Sequence, residues 1–370
     1  MKVDKLLEGL QSFTWQQGVM ILVGLVLIYL AIKKEYEPML LLPIGFGAIL
    51  TNIPLSSAVG ENGFLTILYN AGIRTELFPI LIFIAVGAMI DFSPLLKQPV
   101  MLFFGAAAQL GIFAAMLLAA STGVFSLKEA ASIGIIGAAD GPTSIYVANL
   151  FAPDLLGPIS VAAYSYMALV PIIQPPVIRA LTTKKERLIR MDADYDAKVS
   201  KKVLILFPIV VTVVAGIIAP ISVGLVGALM FGNLIRESGV MDRLSKSAQN
   251  ELANLTTLLL GITIGSTMVA EKFLAPTTLL ILAIGLLAFV FDTAGGVLFA
   301  KFINLFLKKK INPMIGAAGI SAFPMSARVV QKIALEEDPS NFILMQAIGA
   351  NVAGQIGSII AGGILLALVG

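Results

Sequence analysis

The chain has 370 residues, of which 58% are hydrophobic and only 13% charged, with a mean hydropathy of +0.95. An ordinary soluble domain is about half apolar and a quarter charged, so the composition excludes that class and indicates a polytopic, all-α membrane protein. There is no cysteine and no histidine, which removes disulfide frameworks, thiol chemistry, and the commonest metal ligand and proton shuttle. Chemistry must use Asp, Glu, Tyr, Lys, Arg and neutral oxygens. The net charge of +3 says little about partners, and no nucleic acid is expected. The first fifteen residues carry acids and no small-residue cleavage site, so a removed signal peptide is not expected.

Apolar runs of membrane-spanning length fall near residues 16–32, 38–53, 77–92, 100–122 and 155–178. A charged loop follows, and further runs fall near 203–219, 220–235, 251–268, 276–305 and 341–370. Between the first two runs and the third, "GFLTILYNAGIRTELF" reads as a helix lying at the interface, anchored by Tyr69 and Arg74. Two segments fit badly as spans. Residues 128–152 place Asp140 before Gly141-Pro142 in "IGAADGPTSIY", and in residues 311–336 the apolar run is cut short at Arg328.

These two segments resemble each other, since "IGAA" occurs at 136–139 and again at 315–318. Flanking matches keep the same order: "VGAM" at 86–89 with "IGST" at 264–267, Pro99 with Pro276, and Tyr166 with Asn351, all separated by 177 to 185 residues. Two structural repeats are therefore expected: 1–181 with a hairpin at 128–152, and 203–370 with a hairpin at 311–336, joined by the charged loop 182–202. Both hairpins are expected to be re-entrant, entering and leaving on one side. Each half then crosses five times and the second half is inverted relative to the first, a plan common to secondary transporters. A continuous kinked helix is the alternative for the first segment.

With both hairpins re-entrant, 20 of the 25 lysines and arginines collect on one side, which the positive-inside rule makes cytoplasmic. The loop "TTKKERLIRMDADYDAKVSKK" lies on that side, as a docking surface or a solvated linker.

A helix break at bilayer depth frees backbone groups that lipid cannot satisfy, so it persists only where it is buried in protein or lines a wet cavity. An ionisable residue there marks an ion or proton pathway. Asp140 with Thr143 and Ser144 offers a carboxylate, two hydroxyls and loose carbonyls, the oxygen set a hard cation takes. The second hairpin offers Asn312, Ser321, Ser326 and Arg328 around Gly316 and Gly319. Asn312 is equally suited to cap the hairpin's first helix, and Ser321 to bond its own turn. Asn351 in "AIGANVAGQIGS" and Tyr166 in "AAYSYMALVP" stand mid-span at equivalent places; polar glue between helices is the bland alternative, and the pairing turns both toward the site. Asp292 and Gln109 lie on corresponding spans and fit helix contacts better than the pathway. Asp91 lies at a span end.

Taken together, "GAADGPTSIYVANLFAPDLLGPISVAAYSYMALVPIIQPPVIRALTTKKER", "NPMIGAAGISAFPMSARVVQK" and "GANVAGQIGS" resemble the beta subunits of the sodium-pumping, biotin-dependent decarboxylases, which act on oxaloacetate, methylmalonyl-CoA, glutaconyl-CoA or malonate. The resemblance covers nearly the whole chain. It implies a membrane subunit that decarboxylates carboxybiotin while exporting Na+ and taking up a proton. The carboxybiotin is presented by a carboxyltransferase alpha subunit and biotin carrier; a small gamma subunit and an elevator-like homotrimer in a prokaryotic cell membrane are also implied. By the same resemblance Asp140 is the essential carboxylate for Na+ and proton, and Tyr166 belongs to the proton path. Asn312, Gly316, Ser321 and Asn351 fall on Na+-binding positions, and Arg328 on the arginine of the same motif. Arg328 is then placed to hold the carboxylate of carboxybiotin or to anchor its hairpin. A secondary exchanger of Na+ or H+ with an organic anion is the alternative that the hairpins by themselves equally suggest.

Overall fold

A computed structural model describes residues 8–191 and 198–370, so residues 192–197 of the charged loop and the first seven residues lie outside the described part. Where a chain this apolar meets lipid, its backbone must satisfy itself, and helices do so within one segment. All regular structure among the described residues is helical. The first half runs through α1 (Trp15–Lys34), α2 (Pro38–Asn52), α3 (Leu77–Met89), α4 (Met101–Ser121), α5 (Leu127–Gly134), α6 (Gly141–Phe151), α7 (Leu156–Ala168) and α8 (Val170–Leu181). The second runs through α9 (Lys201–Ile218), α10 (Val223–Ser238), α11 (Ala253–Ser266), α12 (Pro276–Phe306), α13 (Met314–Ala317), α14 (Met325–Glu337) and α15 (Leu344–Val369).

Helices thus occupy all ten apolar runs, though only α1, α4, α9, α12 and α15 are individually long and apolar enough to cross a bilayer. The stretch before α3 forms a short helix, Phe64–Leu68, continued by a π-turn to Ile73 and bent 62° from α3. Between α7 and α8 the chain bends 68°. Pro171, in the first turn of α8, has no amide proton to bond back into α7, which accounts for the bend.

Glycines set the closest crossings. A Cβ on Gly47 of α2 would lie 2.3 Å from the Ile262 carbonyl oxygen in α11, and one on Gly87 of α3 would lie 1.8 Å from that of Leu229 in α10. Backbones touch at both places, the close packing that small residues permit between membrane helices. The second helix of one half therefore packs on the third of the other, and the converse holds as well. By contrast α9 leaves Leu206, Val210, Val213 and Ile217 exposed, a surface suited to lipid.

The two motif segments are helical hairpins whose arms pack on each other. In the first, a capping box of Ser126 and Glu129 starts α5, a 3-10 turn follows at Ile135–Ala138, and the chain reverses through Ala139 (φ 52°). In the second, α13 and α14 flank a non-helical tip at 318–324. Both tips rest on α12, which at 31 residues is about 46 Å long. Gly137 packs on Ala288 and Asp292, and Gly316 on Gly296.

A strap formed by the described part of the charged loop laces the foot of the second hairpin. The Asn312 and Asn341 side-chain amides both donate to the carbonyls of Arg187 and Ile189. Arg187 pairs with Glu337 at 2.7 Å, Arg190 with Asp338 at 2.6 Å, and Arg179 with Glu336 at 2.6 Å.

Candidate functional site

The chain reversal in the first hairpin leaves Asp140 as the N-cap of α6, with Pro142 in the first turn where no amide is needed. Its Oδ1 accepts the Thr143 amide at 3.2 Å, and its Oδ2 accepts the hydroxyls of Thr143 and Ser358, both at 2.7 Å. Ser144 Oγ bonds the Asp140 carbonyl at 2.8 Å. The carboxylate is 5% exposed, and no lysine or arginine pairs with it among the described residues.

The second hairpin's tip meets the first directly, since the Ser321 amide donates to the Ala138 carbonyl at 3.0 Å. Above this contact runs a polar stripe of α15. Asn351 Nδ2 donates to the Ile320 carbonyl at 2.6 Å, Gln355 Nε2 donates to the Ser321 carbonyl, and Ser358 reaches Asp140. Ser321 Oγ returns a bond to the Gly354 carbonyl at 2.8 Å. Asn351 Oδ1 is buried and makes no hydrogen bond among the described residues, so it is an oxygen available to a ligand. Hydroxyl, amide and carboxylate oxygens converge here, with carbonyls, where two helix breaks meet. Such a layer can hold a hard cation.

Asp140, Ser321 and Asn351 therefore share one layer. Gly316 has its backbone pressed against Gly296 of α12. Asn312 is elsewhere: its amide clips the strap, and its Oδ1 accepts the Met314 amide at 3.1 Å. Tyr166 donates to the Leu282 carbonyl at 2.5 Å, and its ring lies beside Gly285 and Ile136. The tyrosine against the Asp140 turn is Tyr164, which is 1% exposed, has an unpartnered hydroxyl and packs its ring on Gly141. Arg328 is exposed on α14 and lines an open pocket of about 410 Å³ with Gln331, Lys332 and Glu336.

Ser358, Gln355 and Tyr164 did not stand out in the sequence. A signal existed for the first two: Asn351, Gln355 and Ser358 are spaced four and three apart, which puts them on one helix face. Gln174 and Ser326 form a second buried link. Gln174 Nε2 donates to the Ala317 carbonyl at 2.8 Å, and Ser326 Oγ donates to Gln174 Oε1 at 2.9 Å, tying α8 to the second hairpin. At the strap, the Arg187 guanidinium beside Glu337 holds that carboxyl below the usual range.

Residues 16–369 match the family described as the Na+-transporting oxaloacetate decarboxylase beta subunit. The chain is 52% identical to the glutaconyl-CoA decarboxylase subunit beta of Acidaminococcus fermentans, over 98% of this chain and 96% of the relative. It is 50% identical to the methylmalonyl-CoA decarboxylase subunit beta of Propionigenium modestum, over 95% and 94%. With the oxaloacetate decarboxylase beta chain of Klebsiella pneumoniae it shares 47% identity, over 98% and 97%. A match along the whole length of such relatives establishes a multi-pass membrane subunit, and the chain belongs to the Na+-transporting decarboxylase beta subunit family.

Proposed function

We propose that the chain decarboxylates carboxybiotin and couples the release of CO2 to Na+ export and proton uptake. The observation that carries this proposal is the buried Asp140 carboxylate at the meeting of two hairpin tips, bonded by Thr143 and Ser358 with no cationic side chain among the described residues to neutralise it. A charge so placed calls for a counter-ion, and in this family Na+ is the ion transported. Asp140, Ser321 and Asn351 are the proposed Na+ ligands, with Gly316 contributing backbone and Asn312 supporting the hairpin's entry. Tyr166 is proposed for the proton path.

Biotin supplies the chemistry of the carboxyl carrier, and the chain's own residues position it. Arg328 and Lys332 sit one turn apart on the pocket beside α14, where two cations suit the carboxylate of carboxybiotin. Pumping Na+ outward costs roughly 2.3 kcal/mol per charge per 100 mV, which loss of CO2 offsets. The three relatives differ in the acid named and agree in being beta subunits. The choice of acid is therefore assigned to a separate alpha subunit with its biotin carrier, and a small gamma subunit is proposed beside them.

The architecture proposed is two inverted repeats of about five spans, working as an elevator in a homotrimer within the prokaryotic cell membrane, with the 182–202 loop cytoplasmic. Support comes from the reciprocal packing of α2 on α11 and α3 on α10. An exchanger of Na+ with an organic anion is not favoured, because the relatives are decarboxylase subunits. The deciding experiment is carboxybiotin decay by the solubilised complex in Na+ and in K+, for wild type and Asp140→Asn. Decay that requires Na+ and vanishes in the variant is expected; decay indifferent to both removes the chain from the chemistry.

A further inference from the structure

Asp292 stands in the interior of α12 with 0% exposure, and neither of its carboxyl oxygens makes a hydrogen bond of good geometry among the described residues. The nearest donors are the amides of Gly111 and Ile112. These open the second part of α4, where the helix restarts after its interruption at Gln109; the Ile112 amide is shared with the Gln109 carbonyl at 3.2 Å, and the Gly111 amide has no backbone partner among the described residues. Oδ1 lies 2.5 Å from the point a Cβ on Gly111 would take, and Oδ2 lies 2.6 Å from the corresponding point on Gly137. The carboxyl group is thus wedged between α4 and the tip of the first hairpin, with a glycine on each side making the room.

A bare carboxylate at this depth is a large uncompensated charge. Two helix amides soften it, but a helix terminus offsets only a small part of the cost of desolvating a carboxylate. Something positive must accompany the group. A hard cation needs several oxygens about 2.0–2.6 Å away, yet backbone closes both flanks, and no cluster of acidic ligands exists among the described residues. A proton needs neither space nor further ligands. We propose that Asp292 is a proton-binding site of this membrane subunit, separate from Asp140, and that it is loaded while the first hairpin is seated against α12.

The surroundings are consistent with a solitary titrating group. α4 carries no ionisable residue. On the hairpin, Lys128 is exposed, Glu129 is engaged with Ser126, Tyr146 lies in α6, and Asp140 is the acid at the tip. Lys301 of α12 is held by Leu181 and Glu186, and Tyr166 of α7 by Leu282. Gly137 and Asp140 belong to one tip, so a displacement of that tip that exposes Asp140 also admits water to Asp292, and the proton passes to that water. This last coupling rests on the sodium-pump function; proton binding at Asp292 does not.

The test is infrared difference spectroscopy of the intact complex in lipid vesicles, without carboxybiotin, comparing wild type with Asp292→Asn. The expected result is a carboxylic C=O band in the wild type that shifts in D2O and is lost in the variant. Asp292→Glu should move that band without removing it. If the Asn variant does not assemble, the Glu variant decides, because a shifted carboxylate band in place of a shifted carboxylic band overturns the proposal. A wild-type spectrum with no carboxylic band overturns it without any variant. None of these readouts involves turnover, so Na+-dependent decay of carboxybiotin tests the pump function separately.

Discussion

Ser358 Oγ lies 2.7 Å from Asp140 Oδ2, joining the last span to the first hairpin tip across 218 residues of chain. The hydroxyl donates to the carboxylate and keeps it aimed into the layer where Ser321 and Asn351 also sit. A hydrogen bond to a charged group is worth about 1.5–3 kcal/mol, which corresponds to at least a tenfold change in an equilibrium. Ser358→Ala is therefore expected to raise the Na+ concentration for half-maximal carboxybiotin decay about tenfold or more. Unchanged Na+ dependence would detach Ser358 from the ion.

Asp140 is also a helix cap, so a purely structural role has to be separated from an ionic one. Asn caps about as well as Asp: Asp140→Asn retains the oxygen that accepts the Thr143 amide, while its amide nitrogen takes the place of the oxygen facing the Thr143 and Ser358 hydroxyls, which must turn to accept from it. Thermal unfolding of the solubilised variant should lie within about 1 kcal/mol of the wild type while Na+-dependent decay is lost. A large fall in stability together with the lost activity would point to the cap alone.

The Gln174 and Ser326 link is buried at 0% exposure on both side chains. Gln174→Leu takes one donor from the Ala317 carbonyl and one acceptor from Ser326, whose hydroxyl still reaches the Ala317 carbonyl at 3.0 Å, at a cost of about 1 kcal/mol, the net worth of one hydrogen bond. Because the two residues act on one link, Gln174→Leu combined with Ser326→Ala should cost less than the sum of the single changes. Denaturation in detergent of the two single variants and the double variant measures this, and strict additivity would contradict it.

At the α3–α10 crossing the obstacle is backbone. A Cβ on Gly87 would lie 1.8 Å from the Leu229 carbonyl oxygen, so one helix must move to accept Gly87→Ala. Overpacking of this kind costs about 1–3 kcal/mol. Gly224, whose Cβ would meet nothing within 4 Å, is the control in the same helix pair. Gly224→Ala should leave the melting temperature in place or raise it, and Gly87→Ala should lower it.

The strap gives a pH dependence of defined sign. Arg187 holds the Glu337 carboxyl below the usual range. A depressed value in the folded state means that the pairing stabilises above the ordinary glutamate range and is lost as pH falls through the lowered value. Amide hydrogen exchange of the strap, corrected for its intrinsic pH dependence, should stay slow through mildly acidic conditions and accelerate only below that range. Glu337→Gln should speed exchange at neutral pH and abolish the acid-dependent step. A strap that loosens within the ordinary glutamate range would show that Arg187 does not hold it.

Membrane class, the position of most helices and the two hairpins with Asp140 at a tip were legible from the sequence. Each is a local signal: apolar length, a Gly-Pro break, a carboxylate out of place in a lipid-compatible run. Tertiary structure decided which polar groups share the layer at the tips. Ser358 and Gln355 reach it because the rotation and crossing of α15 turn one polar stripe onto both hairpins. Asn312 faces the strap in the same fold, and Tyr164 takes the position against the Asp140 turn while Tyr166 reaches α12. Hydropathy along a chain registers depth and helix breaks, whereas a hydrogen bond between residues 218 positions apart depends on how helices rotate about their axes, and that is set only when their glycine-lined faces close on one another.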